Sequence, residues 1–174
     1  MKKVFIDGSA GTTGLRIFDR LHRRTDIQLL TLPESERKLE SSRKRLLNEA
    51  DVVFLCLPDD AAREAASWVE NPDTVVLDTS TAHRTAPGWC YGFPELSPVQ
   101  EARLRQAKRI AVPGCHASGF IALVYPLISA GLLAPDVLLS CYSLTGYSGG
   151  GKKMIADYES PDRPAHSPLD EPKS

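Results

Sequence analysis

The stretch AVPGCHASG, residues 111–119, contains the residue best suited to chemistry in this sequence. Cys115 directly follows Pro113 and Gly114, at the point where a short apolar strand pattern gives way to an apolar helical pattern. A thiolate at a helix N-terminus is stabilised by the helix dipole, attacks acyl carbons, and has backbone N–H groups nearby for the oxyanion that forms. The alternative is a small buried apolar residue, which is the common role of an isolated cysteine.

Three evenly spaced glycines follow the first apolar run of the chain. Gly8, Gly11 and Gly14 lie in GSAGTTG, with Thr12 and Thr13 between the last two, and an amphipathic helical pattern follows. A pyrophosphate approaches the backbone closely only where Cβ atoms are missing, and a helix N-terminus adds N–H groups and a dipole. The spacing differs from the commoner G-x-G-x-x-G, and a glycine-rich turn without a ligand is the alternative. The position between a strand and a helix favours a dinucleotide site.

In such folds, residues near the end of the second strand distinguish NAD from NADP by their contacts with the 2′ position of the ribose. The stretch PESERK lies there, and Ser35, Arg37 and Lys38 are suited to a ribose 2′-phosphate. Glu34 and Glu36 are suited instead to a free ribose hydroxyl. We expect NADP(H) as the cofactor.

A second polar segment, DTSTAHR, follows the fourth expected strand and emerges at the same sheet edge as Cys115. Arg84 could bind a phosphate or carboxylate through two N–H groups, and Ser80 could donate a hydrogen bond. A polar loop with a solvated arginine is the alternative. The later glycine-rich stretch GYSGGGKK is either a flexible turn without a ligand or a further contact with the cofactor or a phosphate.

Short apolar runs alternate with helical patterns along most of the chain. Parallel strands need crossover connections, so this alternation predicts an α/β fold with a doubly wound, Rossmann-type parallel sheet. A further strand is expected from residue 137, followed by a glycine-rich loop and a helix start. The five earlier strands are expected at residues 2–7, 27–32, 51–58, 74–80 and 109–114.

The composition excludes several classes of protein. Of the 174 residues, 42% are hydrophobic and 25% charged, and the net charge of −1 argues against binding nucleic acid or a membrane surface through bulk charge. The sequence has no apolar run long enough for a membrane span or a secretory signal. The four cysteines and four histidines do not fall at metal-ligand spacings, so we expect no metal and free thiols in the cytoplasm.

Five segments together carry a family resemblance: GSAGTTG, DTSTAHR, YGFPEL, VPGCHASG and GYSGGGKK. In this order they resemble N-acetyl-γ-glutamyl-phosphate reductases of the short (type 2) form, over roughly residues 1–158. The resemblance implies NADPH-dependent reductive dephosphorylation of N-acetyl-γ-glutamyl phosphate to N-acetylglutamate semialdehyde through a cysteine thioester, a step of arginine biosynthesis. Aspartate-semialdehyde dehydrogenases, which apply this chemistry to a shorter acyl phosphate, are the nearest enzyme alternative.

The resemblance also assigns roles to residues. Cys115 falls where the family has its nucleophile, the glycines of GSAGTTG fall on the cofactor loop, and Ser148 and Gly149 fall on a second cofactor turn. Ser80 and Arg84 fall in the segment expected near the substrate. It implies a small-molecule substrate and allows a homo-oligomer.

The chain departs from this family near its end. Family members continue through a mixed α+β substrate domain that carries the acid/base histidine, and neither His116 nor His166 is a convincing substitute for it. We therefore expect a cofactor domain over residues 1–112, the start of a substrate domain over 113–158 and a disordered tail over 159–174. A non-catalytic NADP-binding remnant of such an enzyme is the alternative function.

Overall fold

The computed structural model of the protein describes residues 1–144, 149 and 151–160. The chain divides into two compact units, Met1–Leu139 and Ser140–Ser174. The first unit carries the strands, which are β1 (Lys2–Asp7), β2 (Ile27–Leu30), β3 (Val52–Leu55), β4 (Val75–Asp78), β5 (Cys90–Tyr91) and β6 (Arg109–Ala111). Its α-helices are α1 (Thr12–Leu21), α2 (Glu40–Glu49), α3 (Asp59–Ser67), α4 (Pro98–Gln106) and α5 (Cys115–Ser129). The second unit contains α6 (Gly151–Glu159).

All six strands form one parallel sheet in the order β2-β1-β3-β4-β6-β5. The chain leaves β1 toward β2 on one side and then returns to place β3 on the other side. This reversal creates a crevice at the carboxyl ends of β1 and β3, which is where open α/β sheets bind their ligands. The doubly wound parallel sheet expected from the sequence is confirmed.

The register brings the carboxyl ends of the central strands to one level. Asp7 of β1 pairs with Leu55 of β3, Leu55 with Asp78 of β4, and Asp78 with Ala111 of β6. The ladder continues one step past the strands, because the N–H groups of residues 56, 79 and 112 donate to the carbonyls of Asp7, Leu55 and Asp78 at 2.8, 3.0 and 2.7 Å. The four loops that follow therefore begin side by side.

The hydrophobic core lies on the face of the sheet that α2 and α3 cover. Val53, Leu55 and Val76 alternate with half-buried neighbours along β3 and β4, and each is fully buried. Leu47 of α2 and Ala65 of α3 pack against this face with no exposed surface. The period-two pattern of the strands and the helical pattern of α2 and α3 thus meet in one apolar layer.

The structure differs from the sequence-based expectation in three elements. Neither β5, a two-residue edge strand, nor α4 was expected. The strand expected from residue 137 does not form, since residues 137–144 adopt no regular structure. A strand needs a neighbour for its backbone groups, and the order of the sheet gives residues 137–144 none. The expected tail lies mostly outside the described residues, and the expected boundary at residue 112 stays a prediction.

Candidate active site

The glycine loop between β1 and α1 is built by close backbone contacts. Gly8 has φ +86°, and a Cβ atom there would overlap the carbonyl oxygen of Cys56 at the end of β3. A Cβ atom on Gly14 would overlap the carbonyl oxygen of Gly8, and the N–H of Gly11 donates to that same oxygen at 3.0 Å. Side chains are therefore excluded from the two positions where the loop touches itself and its neighbour.

The loop leads directly into the first turn of α1. Gly11 is the N-cap residue, and as a glycine it supplies no side-chain cap to the helix N–H groups. Thr12 and Thr13 are exposed at the start of the helix, where the backbone N–H groups of a first turn have no partner within the helix. This arrangement matches the requirement of an anion such as a pyrophosphate.

A cavity of about 750 Å³ opens beside the glycine loop. Residues 8–10 of the loop, the end of β2 and the side chains of Arg37, Lys38 and Arg43 line it. Ser35 does not line it, although it was expected near a ribose phosphate together with Arg37 and Lys38.

A buried ion pair forms part of the cavity wall. Asp7, at the end of β1, is 4% exposed, and Arg43 donates to its carboxylate from Nε at 3.2 Å and from Nη2 at 2.9 Å. The guanidinium also stacks over Trp68, 4.8 Å from the ring centroid. Arg43 was not expected from the sequence. The signal that could have pointed to a buried cation was Asp7, an aspartate that ends an apolar run directly before the glycine loop. The pair cancels a negative charge that would otherwise repel a phosphate.

Cys115 is the first residue of α5, and Gly114 is its N-cap, as the sequence predicted. The N–H and the hydroxyl of Ser118 both donate to the Gly114 carbonyl, at 2.8 and 2.7 Å. The Cys115 side chain is exposed, so a substrate can reach it. His116 is the next residue on the helix, turned by about 100°, and does not share a face with Cys115.

Arg84 lies against the start of this helix. A Cβ atom on Gly114 would be 2.5 Å from Nη1 of Arg84, so the guanidinium covers the residue before the cysteine. Nε of Arg84 donates to the Val112 carbonyl at 3.1 Å, and Nη2 donates to the Thr79 carbonyl at 3.4 Å. These acceptors are neutral, and no carboxylate among the described residues lies within ion-pair distance of Arg84. A guanidinium therefore stands against the residue that precedes the candidate nucleophile.

Ser80 stabilises the loop that carries Arg84. Its N–H donates to Oδ1 of Asp78 at 3.0 Å and its hydroxyl donates to Oδ2 at 2.7 Å, with Ser80 only 8% exposed. Asp59 of α3 accepts from the N–H and the hydroxyl of Thr81. The hydroxyl of Thr81, and less strongly the charges of Arg63 and Arg84, lower the pKa of the Asp59 carboxyl. The substrate contact expected for Ser80 stays a prediction.

The glycine loop and Cys115 are separated by β3 and β4. Three strand spacings amount to about 14 Å, which an extended dinucleotide spans along the carboxyl edge of the sheet. Of the second glycine-rich turn, Ser148 lies outside the described residues, and Gly149 is an exposed residue of the second unit.

The other cysteines differ from Cys115 in their surroundings. Burial raises the pKa of the Cys56 thiol to about 11, Cys90 is 7% exposed, and Cys141 is exposed. All four are free thiols. Within the described residues no three His, Cys, Asp or Glu side chains form a metal site, and no helix is long and apolar enough to cross a membrane.

We predict that Gly14→Ala disrupts the glycine loop. The added methyl group must displace the Gly8 carbonyl, which costs about 1–3 kcal/mol of stability and weakens binding of a nicotinamide dinucleotide. Denaturant unfolding and calorimetric titration with the dinucleotide measure the two effects. Gly119→Ala is the matched control, because nothing lies within 4 Å of its added Cβ atom. Equal dinucleotide affinity in both variants would contradict a role of this loop in binding.

We also predict a large spread of thiol reactivity. Near neutral pH, iodoacetamide modifies Cys115 and Cys141, whereas Cys56 stays protonated until the pH approaches about 11 and Cys90 is shielded by burial. We expect Cys115 to react faster than Cys141, because it begins a helix with a guanidinium against the preceding residue, and exposed cysteines in electropositive surroundings are the reactive ones. Peptide mass spectrometry over time measures each rate, with Cys115→Ser as the control. Equal rates for the two exposed thiols would show that Cys115 is not activated.

Comparison with known proteins agrees with this geometry. Residues 3–104 match the family model described as semialdehyde dehydrogenase, NAD binding domain. The chain is 52% identical over 158 residues to N-acetyl-gamma-glutamyl-phosphate reductase 2 of Pseudomonas putida, covering 91% of this chain and 50% of that protein. It is 54% identical over 157 residues to N-acetyl-gamma-glutamyl-phosphate reductase of Chelativorans sp., covering 90% and 51%. The chain thus spans about half the length of these relatives.

A solved structure shows the same fold. Aspartate semialdehyde dehydrogenase from Francisella tularensis superimposes with a TM-score of 0.65 at 13% identity, over 91% of this chain and 48% of that one. The residues that the family model matches include the glycine loop, all residues that line the cavity, and strands β2 to β5 of the sheet. The chain belongs to the semialdehyde dehydrogenase family through its NAD-binding domain.

Proposed function

We propose that this chain carries the cofactor site and the nucleophile of an NADPH-dependent N-acetyl-γ-glutamyl-phosphate reductase. The observation that carries the proposal is the Arg84 guanidinium against Gly114, directly before an exposed Cys115 at a helix start. The names of relatives that are 52% and 54% identical support the substrate. The reaction belongs to arginine biosynthesis, and the free thiols support a reducing compartment, the cytoplasm.

The residues at the sheet edge divide the chemistry between them. The Cys115 thiolate attacks the acyl carbon of the acyl phosphate, the C–O bond to phosphate breaks, and a thioester remains on Sγ. Arg84 balances the charge of the phosphate as it binds and leaves. N–H groups at the start of α5 are suited to the oxyanion of the tetrahedral intermediate. The nicotinamide, when bound, supplies the hydride that converts the thioester to an aldehyde and returns the thiolate.

The proposal for the cofactor rests on the charges at the mouth of the cavity. Arg37 and Lys38 line it, and neither forms an ion pair with a carboxylate in the described part of the chain. Glu36, which would favour a free ribose hydroxyl, instead accepts a hydrogen bond from Ser42 at 2.8 Å and does not line the cavity. These two cations form no ion pair, and the Asp7 carboxylate in the cavity wall is paired with Arg43, so the lining favours a 2′-phosphate and therefore NADP(H) over NAD(H).

The organisation of the chain is part of the same proposal. Residues 1–112 hold the cofactor, and residues 113–158 begin the part that meets the substrate, with Cys115 at the junction. Large apolar side chains of α5 are exposed, among them Phe120, Leu123 and Leu127. Such a surface supports assembly into a homo-oligomer.

The function is tested by a reductase assay in the reverse direction. N-acetylglutamate semialdehyde, phosphate and NADP⁺ are supplied to the purified chain, and NADPH formation is followed by absorbance. We expect phosphate-dependent turnover that Cys115→Ser abolishes and that aspartate semialdehyde does not support. Turnover with aspartate semialdehyde instead would favour the dehydrogenase alternative. NADP⁺ binding without any turnover would favour the non-catalytic alternative.

We predict that the double substitution Arg37→Ala with Lys38→Ala reverses the cofactor preference. Each charge-assisted hydrogen bond to phosphate contributes about 1.5–3 kcal/mol, so the affinity for NADPH falls by at least about tenfold while that for NADH changes little. Titration of both nucleotides by intrinsic fluorescence measures the ratio. Arg23→Ala is the control, because it removes an exposed cation that does not line the cavity. Parallel losses for both nucleotides would contradict 2′-phosphate recognition.

A further inference from the structure

A buried histidine lies next to Arg84 and has no part in the chemistry described above. His83 is 8% exposed, and its Nδ1 is 2.6 Å from Oδ2 of Asp78, which has no exposed surface. Asp78 also accepts both hydrogen bonds from Ser80. A carboxylate removed from water needs such donors, because an unpaired buried charge is strongly destabilising.

The imidazole is fixed from a second direction as well. It stacks on Trp89 with ring centroids 3.9 Å apart and an angle of 12° between the ring planes. The chain from 81 to 89 folds in successive turns, in which the N–H of Arg84 donates to the Thr81 carbonyl and that of Ala86 to the His83 carbonyl. One hydrogen bond and one stacking contact therefore hold the His83 ring in a single orientation.

The fixed orientation of the His83 ring constrains the backbone position from which the Arg84 side chain extends. Arg84 follows His83 directly, while its guanidinium reaches Gly114 and the Val112 carbonyl on a different strand end. Asp78 and Val112 are linked by a backbone hydrogen bond of 2.7 Å. The Asp78 carboxylate thus anchors the backbone around residue 83 to the same point of the sheet from which α5 departs.

We propose that His83 is a positioning residue: by donating to Asp78 while stacking on Trp89, it holds the Arg84 guanidinium over Gly114, beside the Cys115 thiol. The proposal deepens the proposed function, since it rests on Arg84 meeting the phosphate of the substrate. If it is correct, the hydrogen-bond donor at the Nδ1 position contributes more to the placement of Arg84 than the aromatic ring does.

Paired substitutions separate these two contributions. His83→Phe keeps an aromatic ring against Trp89 but has no donor for Asp78. His83→Asn places an amide N–H where Nδ1 stands, and His83→Gln carries the same amide one carbon further out. A general loss of packing would affect Asn at least as much as Phe, because Asn cannot stack.

The test measures the charge beside Cys115 directly and needs no turnover. In the full chain carrying Cys141→Ser, the rate of Cys115 alkylation is measured with anionic iodoacetate and with neutral iodoacetamide, and the modified peptide is identified by mass. The ratio of the two rates reports the positive charge of Arg84. Arg84→Gln gives the reference, and loss of one nearby charge lowers the ratio by about fivefold.

We expect His83→Phe and His83→Gln to lower the ratio toward that of Arg84→Gln, and His83→Asn to retain the original ratio. Circular dichroism and NADPH titration verify that each variant is folded. If His83→Phe does not fold, the comparison of His83→Asn with His83→Gln tests the proposal. An unchanged ratio in His83→Gln, a lowered ratio in His83→Asn, or no effect of Arg84→Gln would overturn the proposal. Absence of turnover with the expected ratios would instead overturn the proposed function and leave the positioning role in place.

Discussion

The register of the parallel sheet is the constraint on which the site depends. Because Asp7, Leu55, Asp78 and Ala111 stand in one row, the segments that follow them start at the same level and at a spacing fixed by backbone hydrogen bonds. The glycine loop, the turn that carries Arg84 and the start of α5 are therefore placed by the backbone before any side chain acts. A shift of a single strand by one residue would turn its last side chain to the other face and separate these groups.

Two of the residues in that row are buried aspartates, and different partners hydrogen-bond to each of them. Asp7 pairs with the guanidinium of Arg43, so a full charge offsets it inside the cavity wall. Asp78 is held by Ser80 and by the ring of His83. The first arrangement leaves the glycine loop open to phosphate without a competing negative charge. The second satisfies the Asp78 carboxylate through donors other than Arg84, so Arg84 is not needed as its partner.

The parts of the site that follow local rules could be predicted from the sequence. The position of Gly8 and Gly14 between a strand and a helix, and of Cys115 after Pro-Gly, depend on turn and cap chemistry within a few residues. Arg43 could not be found in this way, because its partner Asp7 is 36 residues away and the two meet only through the fold.

The same holds for the contact that defines the candidate nucleophile. Arg84 and Gly114 are brought together by the adjacency of β4 and β6, a strand order that apolar runs alone do not specify. The edge strand β5 was missed because Cys90–Tyr91 is too short to show any alternation. The strand expected from residue 137 failed for the opposite reason: its apolar pattern was present, but pairing depends on a neighbour that the pattern does not reveal.

The helix that carries Cys115 is held at its beginning rather than along its length. None of the residues of α5 is buried, although the helix is apolar over most of its turns. Its first residue is nevertheless fixed, because Val112 is bonded to Asp78, Arg84 covers Gly114, and Ser118 closes the first turn. The precision of a nucleophile comes from such fixed neighbours, and here they lie on the sheet edge. The position of the thiol is thus determined by the same row of residues that places the cofactor loop, whatever covers the far end of the helix.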